Sequence, residues 1–415
     1  MKKLFLIFFV LFFTNAFSQN WTLKLDGRSV WSLAQDRFGN TYAGGLTSTN
    51  SRIWKSTNQG NTWDTIFIGT GQTMWGFGFD TLGTPGNMYV ANFSNGLLKS
   101  TNGGVNFTVL PTSLFMGKNP QGVTCSKAGN IYVTTATGFF RSTNGGVSFD
   151  TALTGLNCLP VLVDRNNQNI IYVGVTSAGG LGIGFYRSTD AGATFSQNLN
   201  PGKNCYYIHQ NTATGDLYQV STTSPYNLDK STNQGLTWTV LGNMTGAMRS
   251  AVTLPLYQYI TVGGNGGVFQ SSNGGANWTN ANLTGSVTPL LVSSGKMYAG
   301  VSGTGAGVYF FDLPPGPSGI GQTETTFYTD FALHQNYPNP FNPNTKIIYE
   351  LKKANFISLK IYDALGNELK EIDNGFKNAG RHEINFSGEN LASGLYFARL
   401  NVDGKTLTNR LVLVK

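Results

Sequence analysis

The chain has 415 residues, 53 of them glycine and only 12% charged, with three cysteines and a formal net charge of +8. Such a composition, without runs of Glu, Ala or Lys, excludes a mainly helical protein and leaves room for two all-β domains. Residues 20–313 carry eight lysines, seven arginines and ten aspartates, scattered with no basic stripe, which argues against a nucleic-acid partner.

At the start, Lys2 and Lys3 precede an apolar run over 4–13 and a small-residue exit at Ala16-Phe17-Ser18. These are the parts of a secretory signal peptide, expected over residues 1–18. Ten apolar residues are too few to span a bilayer and no later segment reaches 18, so a soluble exported chain is expected from Gln19. Cys125, Cys158 and Cys205 are an odd number that allows at most one bridge. Each lies near the apolar run that opens a repeat, where small buried hydrophobes are expected.

Six copies of one eight-residue unit follow: Ser56 to Trp63, Ser100 to Phe107, Ser142 to Phe149, Ser188 to Phe195, Ser231 to Trp238 and Ser271 to Trp278. Their closing aromatics are 44, 42, 46, 43 and 40 residues apart, the period of a four-stranded propeller blade. Ahead of the units lie strands containing Tyr42, Tyr89, Tyr132, Tyr172, Tyr218, Tyr259 and Tyr298, which makes seven strands for six hairpins. Before each tyrosine comes an apolar inner strand, and after it a third strand leading into the hairpin. The seventh repeat reaches its third strand at residues 307–311 and then meets Pro314-Pro315-Gly316-Pro317. Its missing outer strand is expected at the other end of the chain, where Asn20-Trp21-Thr22 repeats Asn277-Trp278-Thr279. The expected fold is a seven-bladed β-propeller over 19–313, with the N-terminal strand closing the last blade.

In the eight-residue unit, Ser and Asn or Asp can bond nearby backbone, Gly supplies a positive φ, and the aromatic packs over the turn. These units resemble the Asp-box (BNR) repeats of sialidase-like propellers, whose pattern is Ser-x-Asp-x-Gly-x-x-Trp. Asn58, Asn102, Asn144, Asn233 and Asn273 stand where the pattern has Asp, which only Asp190 keeps, and the aromatic is Trp in Trp63, Trp238 and Trp278. In those families the box is structural, so these residues and Gly60 are given no chemistry.

Residues 314–330 read as a linker. All six glutamates lie at or after Glu324, and five alternating or apolar segments after Phe331 predict a small immunoglobulin-like β-sandwich over 331–415. Residues 336–351 (NYPNPFNPNTKIIYEL), 359–369 (LKIYDALGNEL), 391–400 (LASGLYFARL) and 409–415 (NRLVLVK) closely resemble the C-terminal sorting domain of type IX secretion substrates. The resemblance implies export by the type IX machinery, with the mature protein released or held at the outer-membrane surface.

Sialidase chemistry needs a tyrosine nucleophile activated by glutamate, and residues 19–323 contain no glutamate. Seven-bladed Asp-box glycosidases can instead pair two aspartates. Asp26, Asp36, Asp64, Asp80, Asp150, Asp164, Asp216, Asp229 and Asp312 are the candidates. Asp36, Asp80 and Asp164 recur in the turn after the inner strand, and Asp64 and Asp150 just after the box aromatic, which favours turn roles over a catalytic pair. His209 is the only histidine of residues 20–313, and neither a zinc spacing nor a calcium loop is present, so no metal or cofactor is expected. Aligning the repeats places Trp31, Trp75, Gln121, Leu159, Tyr206, Arg249 and Thr288 where the inner strands begin. Of these, Trp31, Trp75, Gln121, Tyr206 and Arg249 are the candidate ligand residues, for sugar rings or a peptide anchor. A monomeric, noncatalytic binding propeller is the preferred reading. A polysaccharide-acting hydrolase, or a likeness to the single-propeller assembly factors of photosystem II, stands as the alternative.

Overall fold

The computed structural model describes residues 20–313 and 331–415, apart from 49, 72, 81–85, 94–95, 177–181, 225, 245, 255–258, 352–353, 365 and 403–404. The expected signal peptide and linker therefore lie outside the described residues. Among those described, residues 20–313 form seven antiparallel sheets, six of four strands and one of three. Their inner strands are Ser29–Gln35, Met74–Phe79, Pro120–Cys125, Cys158–Val163, Tyr207–Gln210, Met248–Leu254 and Ser286–Ser293. Each inner strand adjoins the next, and the seventh adjoins the first, so the sheets form a closed ring. Second strands such as Met88–Asn92, Ile131–Thr135 and Ile171–Val175 are buried along their whole length. Neighbouring sheets cover both faces, which is why these strands read as continuous apolar runs rather than alternating ones.

The N-terminal strand Thr22–Leu23 pairs with the third strand of the seventh sheet, Thr22 opposite Phe310 and Leu23 opposite Tyr309. Trp21 meets Phe311 edge to face at 4.7 Å between ring centroids. The last sheet is thus completed by the first strand, which covers the edge of Gly307–Asp312 and leaves only a two-residue strand outermost.

Every eight-residue hairpin uses one bonding scheme. Ser56 donates its hydroxyl to Asn58 Oδ1 and accepts the Gly60 N–H at 2.8 Å, while Asn58 Oδ1 also accepts the Thr62 N–H. The same serine hydroxyl accepts the glycine N–H in the other five copies. A single side-chain oxygen does the work, so asparagine replaces aspartate without loss. At Asp190 the second oxygen takes the Thr194 hydroxyl at 2.6 Å, and that bond together with the Thr194 backbone N–H holds the carboxyl down at about 2.

The hairpins also join neighbouring sheets. Lys55 donates to the Gly103 carbonyl, Lys99 to Gly145, Arg141 to Ala191 and Arg187 to the Gln234 side chain, each reaching the hairpin of the following sheet. Tyr298 closes the series by donating to the Gln59 carbonyl. Close approach explains the hairpin glycine: a Cβ on Gly235, which has φ +83°, would stand 2.2 Å from a ring carbon of Phe185 in the preceding sheet.

One expectation needs correction. The fourth sheet has three strands among the described residues, because Asn198 and Ser196 side chains accept the Phe185 and Arg187 N–H groups that a regular outer strand would take. The second strand of the sixth sheet begins at Tyr259, and Thr261 faces Gln270 there as Tyr218 faces Lys230 in the fifth. The three cysteines are free; Cys158 and Cys205 are buried, and burial pushes the Cys158 thiol up to about 12.

Residues 331–415 form two packed sheets that share the strand Tyr337–Asn342, which pairs antiparallel with Asn344–Leu351 and parallel with Lys405–Leu413. Alternation puts Ile347, Tyr349 and Leu351 from one sheet and Leu359, Ile361, Ala398, Leu400 and Leu411 from the other into one core.

Candidate functional site

The inner strands share a local irregularity. In the first sheet Val30 faces Gly45 and Ser32 faces Gly44, so Trp31 is an extra residue with no partner across the pair. The same bulge sets out Trp75 between Met74 and Gly76, Gln121 between Pro120 and Gly122, and Arg249 between Met248 and Ser250. Leu159 and Thr288 lie within the corresponding shifts of the fourth and seventh sheets. Tyr206 immediately precedes the fifth inner strand and donates its N–H to the Val220 carbonyl. A bulge bends the strand and re-aims the extra side chain. Antiparallel order puts these residues at the end of the ring opposite the six hairpins.

Four of them meet, although they come from sheets one, two, five and six. The rings of Trp31 and Trp75 are 6.3 Å apart, and Trp75 and Tyr206 are 6.5 Å apart. Arg249 lies over the face of Trp31 at 5.8 Å. Burial raises the Tyr206 phenol, and the charge and hydrogen bond of Arg249 act against that rise. Phe93, which the repeat alignment did not single out, covers another side of Trp75 at 6.0 Å. Gln121 is half-buried at the same level, whereas Leu159 and Thr288 are packed in.

Several polar atoms of this ring end have no hydrogen-bond partner among the described residues: Nε1 of Trp31 and Trp75, Nε of Arg249, Oε1 of Gln121 and Oγ1 of Thr288. Buried polar groups are nearly always paired, and here five stand without a protein partner at equivalent positions of different sheets.

The aspartates sort differently. Asp36 accepts the Phe38 and Asn40 N–H groups and the Tyr42 hydroxyl, and Asp164 accepts the Asn166 and Asn167 N–H groups and the Tyr172 hydroxyl. Asp80 holds Asn87 in the same way. Asp64 and Asp150 are exposed on outer strands, and Asp216 pairs with Lys230 at 2.8 Å. Asp229 is the exception, being buried in the middle of a third strand with Asn200 Nδ2 at 3.4 Å from both its Oδ2 and Gln219 Oε1. The equivalent positions hold Trp54, Leu98, Phe140, Tyr186 and Phe269. Comparing third strands register by register is the signal that would have singled it out.

The closed ring of sheets defines a β-propeller, and the residues after it define an export tail. Residues 335–415 match the model of the secretion system C-terminal sorting domain, which directs the chain to type IX secretion and so to the cell surface or beyond. Among solved structures, YCF48 bound to D1 peptide is similar with a TM-score of 0.53 at 13% identity, covering 71% of this chain and 96% of that one. YCF48 from Cyanidioschyzon merolae is similar at 14% identity and a TM-score of 0.53, covering 71% of this chain and 98% of that one. The extracellular domain of the hybrid two component system BT4673 from B. thetaiotaomicron, at 14% identity and a TM-score of 0.52, covers 95% of this chain and 59% of that one. At these identities the likeness is one of fold alone. A xyloglucanase from Hypocrea jecorina (strain QM6a) is 34% identical over 121 residues, which are 28% of this chain and span only 12% of that enzyme. Among the described residues no helix is long and apolar enough to cross a membrane.

Proposed function

We propose that residues 19–313 are a seven-bladed propeller with structural Asp-box hairpins and that it serves as a noncatalytic binding platform outside the cell. Its partner is a glycan, a peptide or an envelope protein. A signal peptide at 1–18 and an immunoglobulin-like sorting domain at 331–415, joined through the linker 314–330, deliver it there. The observation that carries the reading is the meeting of Trp31, Trp75, Tyr206 and Arg249 at one end of the ring, on bulged or strand-leading residues of four sheets. Core packing alone does not need a guanidinium there.

The test is to display the secreted protein, and the Trp31→Ala, Trp75→Ala double variant, to glycan and peptide arrays. The wild type is expected to retain a ligand that the folded double variant loses, and equal retention by both would refute the site. The xyloglucanase likeness motivates a second reading as a polysaccharide hydrolase. Against it, Asp36, Asp80 and Asp164 are committed to their own turns. Product release from xyloglucan, abolished by a single Asp→Asn change, would establish that alternative.

A further inference from the structure

The faces and edges of the aromatic cluster are used differently. Trp31 is covered by Arg249 on one face and approached by Trp75, while Trp75 is hemmed in by Trp31, Phe93 and Tyr206. A sugar ring binds by lying flat on an open aromatic face, and tilted rings 6.0–6.5 Å away crowd the approach to these. What remains unsatisfied are edges: the N–H groups of Trp31 and Trp75 and the Nε–H of Arg249, all donors, one of them on a permanent cation. The unpaired acceptor Oε1 of Gln121 comes from the neighbouring inner strand.

We infer that this end of the ring captures the free α-carboxylate of a polypeptide C-terminus, entering endwise. The inference rests on the reading of the propeller as a binding platform and names the group it takes. A carboxylate is an acceptor-only anion whose two oxygens can take more than one N–H donor, and guanidinium bonds to it are charge-assisted. The amide N–H one residue back along a peptide is the donor that Gln121 Oε1 lacks. All four unpaired atoms are shielded from solvent by neighbouring side chains. Entry therefore requires Arg249 to swing off the Trp31 face, exchanging a cation–π contact for an ion pair and moving the charge that lies beside the indole.

The experiment uses the full secreted protein and a random pentapeptide library immobilised by its N-termini, once as the free acid and once as the C-terminal amide. The expected result is retention on the acid library at least about tenfold above the amide library, with a change in tryptophan emission on binding. Arg249→Gln is expected to lose that preference. Trp31→Phe and Trp75→Phe, which keep a ring and remove only the N–H, are each expected to weaken binding severalfold while the thermal midpoint stays put. Equal retention of acid and amide, or no retention of either, overturns the inference. If oligogalacturonate or a neutral glycan binds instead and the Trp31→Ala, Trp75→Ala variant loses it, the platform stands and the carboxylate inference falls. If no ligand depends on these residues, both fall.

Discussion

The indole N–H of Trp21 donates to the carbonyl of Ala281 at 2.7 Å, across 260 residues of chain. Ala281 follows the outer strand Thr279–Asn280 of the sixth sheet, and Trp21 leads into the strand that completes the seventh. One side chain thus ties the beginning of the ring to its penultimate sheet while its own strand is paired to the last. In the other four-stranded sheets the aromatic that leads into the outer strand is Trp or Phe of the hairpin, and Trp21 takes that part at the closure.

Trp21→Ala should therefore act as a core truncation and not as a terminal trim. It removes the edge-to-face contact with Phe311 and the bond to Ala281, with an expected loss of about 2–3 kcal/mol. Urea unfolding of the secreted protein measures it. A midpoint equal to wild type would mean that the N-terminal strand does not hold the ring together.

Much of this architecture was legible because each repeat restates the same local physics. The serine, asparagine and glycine of each hairpin satisfy one another within eight residues, so the pattern survives in the sequence whatever surrounds it. The alignment of inner strands likewise brought Trp31, Trp75, Gln121 and Arg249 to one position, and the structure places all four at the same bulge. The bulge itself was not legible, since it is a property of pairing between strands. Nor was the partnership of Trp75 with Tyr206, which joins sheets two and five across the ring and has no counterpart in sequence spacing. The irregular fourth sheet was missed for a related reason: Asn198 replaces a backbone ladder with side-chain bonds, which spacing does not record.

Acid should weaken the ring through His209. Its Nε2 accepts the Thr253 N–H at 3.1 Å, an arrangement available only to the neutral imidazole. Burial, aided by the Arg165 charge, pushes its pKa down to about 3 from the ordinary 6.5. Because the folded value lies below the unfolded one, the full stability is present above pH 6.5 and drains away as the pH falls from 6.5 toward 3. The slope is at most about 1.4 kcal/mol per pH unit. Between pH 7 and pH 5 the wild type is expected to lose about 2 kcal/mol more than His209→Gln does, as read by urea unfolding at both values. Parallel losses in the two proteins would show that His209 does not carry the effect.

Asp229 predicts the opposite pH sense. Burial raises its pKa, offset in part by the Lys203 charge and the Asn200 bond, and its Oδ1 has no partner among the described residues. An acid whose folded pKa is raised stabilises the fold least when it is ionised, so the penalty grows as the pH rises through and above the ordinary carboxylate range. Asp229→Asn keeps an acceptor for Asn200 and removes the charge. It should gain about 1 kcal/mol, or about 2 °C in thermal midpoint, at pH 7, and the gain should vanish below pH 4. A loss of stability at pH 7 would mean that the carboxylate holds a partner that offsets its burial.

In the export tail, Asn339 clamps the last strand. Its Oδ1 accepts the Val412 N–H at 2.8 Å and its Nδ2 donates to the Arg410 carbonyl at 3.1 Å, while the neighbouring Phe341 is buried and its carbonyl accepts the Val414 N–H. The asparagine and phenylalanine of the YPNPF stretch at 337–341 thus fasten the terminal strand to the shared strand of the two sheets. Asn339→Ala leaves the Val412 N–H without its acceptor and should destabilise the tail by about 1–3 kcal/mol. Because export depends on that tail, the cell-associated fraction is expected to rise at the expense of the extracellular one, whereas Trp31→Ala is exported normally. Cell fractionation with an antibody to the propeller reads both. If Asn339→Ala reaches the medium like wild type although its tail unfolds earlier, recognition by the secretion machinery depends on the local sequence and not on the fastened terminal strand.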